Sequence, residues 1–246
     1  MRAPADPSAG AGAASGAVAD GAAGVGASGS AGAGEGDVAA GGAARADRRR
    51  ERGDRTRLAV LEQAVQDASV RGLEALSLGG LAASAPVNKS AIAGLFGSKE
   101  GLQLAVVARA REIYTGAVIE PARAAAPGLP RVRALVECWI DYSRRRVFRG
   151  GCFFRTVEVE FDMRPGPVRD AVVEAQSTWD SYLAHHVQLA VRAGDLTPET
   201  DPEQVAFEIN ALLNAANDRS LLRDDDAAYA RTRSAVDALL KTRTST

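Results

Sequence analysis

Cysteine is scarce in this 246-residue chain: Cys138 and Cys152 are the two present, too few for a disulfide framework at this length. Both read more naturally as small buried apolar groups than as redox sensors. No window approaches eighteen continuous apolar residues, so no membrane-spanning helix and no membrane partner are expected. The N-terminus lacks the unbroken apolar run of a secretory signal, which places the expected compartment in the cytoplasm. A phosphate-cradling glycine loop, a nucleophile elbow, paired acids in a motif context and a ligand-spaced His/Cys/Asp/Glu cluster are all missing. The chain is therefore not read as an enzyme, and neither cofactor nor metal is expected. His185 and His186 are neighbours on one helix, so their side chains diverge by about 100° and cannot readily share a metal. One is expected toward the interior or solvent, the other at a pocket.

Lysine is nearly absent too, confined to Lys89, Lys99 and Lys241, and the formal net charge is -1. Its distribution is uneven. Residues 45–112 hold twelve arginines and lysines against eight acids, while the segments on either side are acidic. A local positive footprint on a near-neutral chain suits a specific nucleic-acid reader better than a nonspecific coat.

Period-two alternation is missing everywhere, and the expected fold class is all-α. Residues 1–44 are almost entirely Ala, Gly, Ser and Pro, which predicts a disordered tail. Residues 45–53 form a basic arm in which Arg48, Arg49 and Arg50 are contiguous. A first helix is expected from Asp54 or Thr56 to Val70, with Leu58, Leu61, Val65 and Ala68 on one stripe. Ser77 can cap a short helix carrying Leu78, Leu81 and Ala82. Pro86 interrupts it, and Asn88 can cap a second short helix whose buried side carries Ile92 and Leu95 or Phe96. Gly97 ends that helix, and Ser98 caps a third that runs to Ile113, with Pro121 past its end. Two short helices joined by a tight turn form a helix-turn-helix, whose second member is sized for the DNA major groove.

Longer helices follow from Pro130 to about Lys241. Asp201-Pro202-Glu203 is a cap, an N1 proline and a favourable acid in sequence. Asp224 to Asp226 read as a solvated loop before the last helix. Trp139, Tyr142, Phe153, Phe154, Trp179 and His186 come from three of these helices. Such rings either line an apolar ligand cavity or form plain core, and periodicity does not separate the two.

The run SLGGLA…VNKSAI…LFGSKEGL, ahead of a larger helical body, resembles the tetracycline-repressor (TetR) family of bacterial transcriptional regulators. Gly150 to Phe154, followed by Glu160-Phe161, resembles one branch of them. The resemblance implies a DNA-binding domain over residues 54–114, with its helix-turn-helix at 77–96, and a ligand-binding and dimerisation domain over 120–241. It implies a homodimer joined through the two C-terminal helices, double-stranded operator DNA as partner, and release by a small-molecule effector. Thr56, Ser77 and Lys99 would contact phosphates; Asn88, Lys89 and Ser90 belong to the recognition helix, and Lys89 and Ser90 can reach base edges. Pro86 stands where the family turn commonly has glycine, Ala93 where it has an aromatic phosphate contact, and Leu95 where it has histidine. These departures keep a second reading open: a small-molecule-binding co-regulator on the same scaffold with degenerate DNA contacts.

Overall fold

The computed structural model describes the backbone of residues 35–84 and 89–244, with side chains from Asp47 onward other than Arg49, Ser84 and Lys89. Asp47–Thr246 forms one compact unit. The expected tail up to residue 34, Pro86 and the Asn88 cap lie outside the described residues, as do the side chains of Arg49 and Lys89.

The helices are α1 (Glu35–Arg71), α2 (Leu78–Ser84), α3 (Lys89–Phe96), α4 (Lys99–Tyr114), a π turn (Thr115–Ile119), α5 (Glu120–Ala122), α6 (Leu129–Arg144), α7 (Phe153–Phe161), α8 (Pro167–Ala193), α9 (Pro202–Arg223) and α10 (Ala227–Lys241). Among the described residues there is no strand, only one isolated bridge between Leu196 and Thr244.

Two boundaries differ from the sequence reading. The first helix starts at Glu35 rather than at Asp54 or Thr56, so residues 35–44 and the basic run 45–53 are helical. Proline is absent from Glu35 to Arg71, and alanine and arginine, both strong helix formers, dominate the stretch. Pro121 lies inside the helical path rather than beyond it. The turn before it is π-wound, and proline at the second position of α5 sits in a first turn, where its missing amide costs little.

On α1 the buried stripe is Val60, Leu61, Ala64, Val65 and Ala68; Leu58 faces solvent instead. Gly72, at φ +83°, turns the chain out of α1, and Leu73 and Leu76 plug into the core behind it. Ser77 Oγ accepts the Gly80 amide at 3.0 Å, the expected cap of α2. Ile92 and Phe96 are the buried face of α3, with Leu95 half-buried. Gly97, at φ +72°, ends α3, and Ser98 caps α4 by accepting the Gly101 amide at 2.9 Å. In the body, α9 packs on α8 and α10, α6 on α8 and α9, and α4 reaches from α3 to α8. The buried apolar residues form one cluster from Val60 to Leu240, continuous through head and body.

Candidate functional site

The head presents α3 with Ser90, Ala91 and Gly94 exposed opposite Ile92 and Phe96. The Arg57 guanidinium lies 5.1 Å over the Phe96 ring, stapling α1 to α3. Arg48 and Arg50 are exposed on α1. The Thr56 hydroxyl donates to the Arg52 carbonyl at 2.8 Å, and Ser77 is engaged as a cap. Lys99 is not free: its ammonium donates to the Glu74 carbonyl at 2.7 Å and pairs with the Glu74 carboxylate at 2.9 Å. Gln103 donates to the other Glu74 oxygen at 3.0 Å. Lys99 first, then Gln103, hold the Glu74 carboxyl below its ordinary range. The expected phosphate ligand is thus, in this state, the clasp between the α1–α2 loop and α4.

A cavity of about 770 Å³, partly open to solvent, lies between α4, α6, α7, α8 and α9. Tyr114, Trp139, Phe154, Trp179 and Tyr182 supply its rings, with Phe207 among the lining residues from α9. Tyr114 is the hub, packing edge-to-face on Phe154 and Trp179 with ring centres 5.9 and 5.6 Å away. The Trp179 indole N–H donates to Asn210 Oδ1 at 2.6 Å, and the Asn210 amide donates to Asp180. Of the aromatic set expected from sequence, Trp139, Phe154 and Trp179 line the cavity. Tyr142 and Phe153 are core behind its wall, Tyr142 edge-to-face with Tyr114 at 5.4 Å. His186 is buried away from it, its Nδ1 accepting the Gly128 amide at 3.4 Å, while His185 is exposed. Burial first, then Arg131 and His185, press the His186 pKa down to about 4. Burial pushes the Cys152 thiol up, as it does Cys138, in keeping with small apolar groups rather than reactive thiolates.

What joins cavity to head was not evident in the sequence. The α6–α7 loop and α7 form a joint with the end of α1. Glu160 of α7 accepts the Leu73 amide at 2.6 Å and the Glu74 amide at 2.9 Å. Gly72 leaves room for this carboxylate, because a Cβ there would sit 2.7 Å from both oxygens. Gln66 bonds the loop twice, donating to the Val147 carbonyl at 2.9 Å and accepting the Arg149 amide at 2.8 Å. Gly150 rests directly on the Ser69 carbonyl, where no Cβ could fit. The other side of the loop is held by the body. Asn217 Oδ1 accepts the Cys152 amide at 2.8 Å, and Tyr229 O–H meets Ser143 at 2.9 Å and Ser220 at 2.8 Å. Only the glycine pair and the Glu160-Phe161 dipeptide hinted at this joint. Asn217, Ser220 and Tyr229 sat unremarked on otherwise apolar helix faces.

A small helical head on a larger helical body with a cavity is a fold shared with solved transcriptional regulators. Residues 128–236 match the family described as "Tetracyclin repressor-like, C-terminal domain". A TetR-family regulator from Cytophaga hutchinsonii superposes with TM-score 0.70 at 20% identity, covering 79% of this chain and 98% of that one. A TetR regulator from Chloroflexus aurantiacus gives TM-score 0.73 at 21% identity over 78% and 98%. AibR, crystallised with isovaleryl coenzyme A and operator DNA, gives TM-score 0.59 at 19% identity over 76% and 97%. No curated protein sequence matches significantly. The family and these neighbours are regulators rather than enzymes. Among the described residues no helix is long and apolar enough to cross a membrane, and no group of three or more His, Cys, Asp or Glu residues could hold a metal.

Proposed function

We propose that the chain is a dimeric, ligand-responsive DNA-binding regulator, a repressor that leaves a palindromic operator when a small molecule occupies the body. The observation that carries this reading is the joint. Helix α7 lines the cavity through Phe154, Arg155 and Glu158, and its Glu160 grips the two amides that lead into α2. A ligand that favours another placement of α7 therefore favours another placement of the α2–α3 pair. Two recognition helices must sit about 34–36 Å apart to enter successive major grooves, so a small pivot ends binding. AibR, solved with both a ligand and operator DNA, supports such a pairing of sites.

Arg48 and Arg50 on α1, Ser77 at the start of α2, and Lys89 and Ser90 at the start of α3 are the proposed DNA contacts, with Arg49, Thr56 and Asn88 beside them. Lys99 joins them only if it leaves Glu74. The twofold interface is assigned to α9 and α10, where Phe207, Ala211, Ala215 and Leu222 form an exposed apolar stripe. The test is fluorescence anisotropy with DNA from upstream of the chain's own gene at moderate salt. Binding no tighter than to scrambled DNA overturns the reading. Lys89→Ala should cost about 1–3 kcal/mol of operator affinity if that side chain reads a base. The clasped Lys99 and the bare Ala91 and Gly94 favour a second reading, a ligand-binding co-regulator. It would show as a cavity that binds ligand in a chain indifferent to DNA.

A further inference from the structure

We propose that the cavity takes an amphipathic organic cation, an amine or quaternary ammonium, with its apolar part among Tyr114, Trp139 and Phe154 and its charge against Glu158 and Asp180. The proposal rests on the reading of this cavity as the effector site, and it names the effector's class.

Three arginines and three acids line the space, but they are not equivalent. Arg111 pairs with Glu174 at 3.2 Å and Arg155 with Asp218 at 3.1 Å, both partners lying outside the lining. Arg123 stays out at the exposed end of α5. Among the described residues no ion pair reaches Glu158, Asp180 or Glu203. Two guanidinium groups are thus paired with carboxylates elsewhere, while none of the three cavity carboxylates is in an ion pair among the described residues, Glu158 feeling Arg155 only at longer range.

Three of the neutral donors in the wall, those of Trp179, Asn210 and Thr178, already have partners. Trp179 gives its only N–H to Asn210, and Asn210 gives its amide to Asp180. The Tyr182 hydroxyl accepts from Arg131 at 3.1 Å and keeps its own O–H to donate. Beside a few amides and hydroxyls the wall offers mainly ring surface and carboxylate oxygens outside any ion pair, which suits a cation with apolar substituents. Asp180 is exposed as a residue, yet partial desolvation of its carboxyl first, and then the Glu158 charge, raise it against the opposing Asn210 bond. Glu158 raises Asp180 across the cavity, and a bound cation would offset that repulsion. An anionic ligand would approach those carboxylates with Arg123 as its one uncommitted guanidinium.

Both tryptophans of the chain, Trp139 and Trp179, line the cavity, so intrinsic fluorescence reports its occupancy. The test titrates the full chain with 3-phenylpropyltrimethylammonium, with its uncharged isostere carrying carbon in place of the ammonium nitrogen, and with 4-phenylbutyrate. The expected result is a preference of about tenfold or more for the cation over both others. Glu158→Gln should lower cation affinity about fivefold or more while leaving the isostere unchanged. Asp180→Asn gives the same reading if Glu158→Gln loses its helical circular dichroism. Equal or tighter binding of the isostere or the carboxylate, or no quenching by any probe, overturns the cation assignment. A preferred cation that does not alter operator affinity upholds the assignment and removes the effector role instead.

Discussion

Glu160 is a half-buried carboxylate whose two oxygens are each spent on a backbone amide of the α1–α2 loop. Bonds to a charged acceptor are about twice as strong as neutral ones, so charge matters here beyond shape. Glu160→Gln keeps the size and puts an NH2 against one amide. It is expected to cost about 1–3 kcal/mol in urea unfolding and to weaken the effect of ligand on DNA affinity while leaving ligand affinity nearly intact. Gly72→Ala attacks the same contact from the other side, through positive φ and a Cβ 2.7 Å from the carboxylate. A loss of more than about 1 kcal/mol is expected from backbone strain alone.

His186 makes a different kind of prediction. Its pKa lies near 4 when folded against 6.5 as the ordinary value. Between those pH values the unfolded chain binds the proton and the native chain does not, so stability falls on acidification from 6.5 to 4 and levels off below. The span is on the order of 2–3 kcal/mol. His186→Asn keeps an acceptor for the Gly128 amide but does not titrate. It should flatten that part of a stability-versus-pH curve measured by denaturant unfolding.

Among the elements, the α3–α4 corner is the most exacting. A Cβ on Gly101 would run into the Phe96 carbonyl, which is backbone and cannot step aside. Gly101→Ala is therefore expected to displace α3 from α4, lowering operator affinity more than ligand affinity when both are titrated. This corner was readable in the sequence because caps and glycines are local signals: Ser77, Gly97 and Ser98 each do what their residue types suggest. The head and the all-helical body were legible on the same grounds. The start of α1 was not, since arginine and alanine suit a solvated helix as well as an arm. Nor could periodicity tell Trp139, which meets the cavity, from Tyr142 one turn later, which meets Tyr114 in the core. The joint was hidden for a deeper reason. Gln66 to Arg149, and Glu160 to Leu73, are contacts between residues 83 and 87 apart, and nothing local announces a partner at that distance.

For the molecule as a whole, one apolar cluster runs from α1 to α10, so head and body should unfold together. Coincident circular dichroism and tryptophan fluorescence transitions would confirm this; separate midpoints would refute it. In the proposed dimer the exposed stripe of α9 forms the contact. Phe207 and Leu222 are 69% and 82% exposed at its ends, and small Ala211 and Ala215 between them permit close approach of a second helix. Ala215→Glu should yield a monomer by light scattering and, with it, loss of operator binding. The π turn at Thr115–Ile119 joins the helix leaving the head to the beginning of the body. Such a turn closes on the fifth following residue instead of the fourth, and so stores one residue more than its α-helical equivalent. Any correspondence drawn between this chain and an evenly wound relative must open a gap there. Without it, every position from Glu120 onward is compared with the wrong neighbour, by one place.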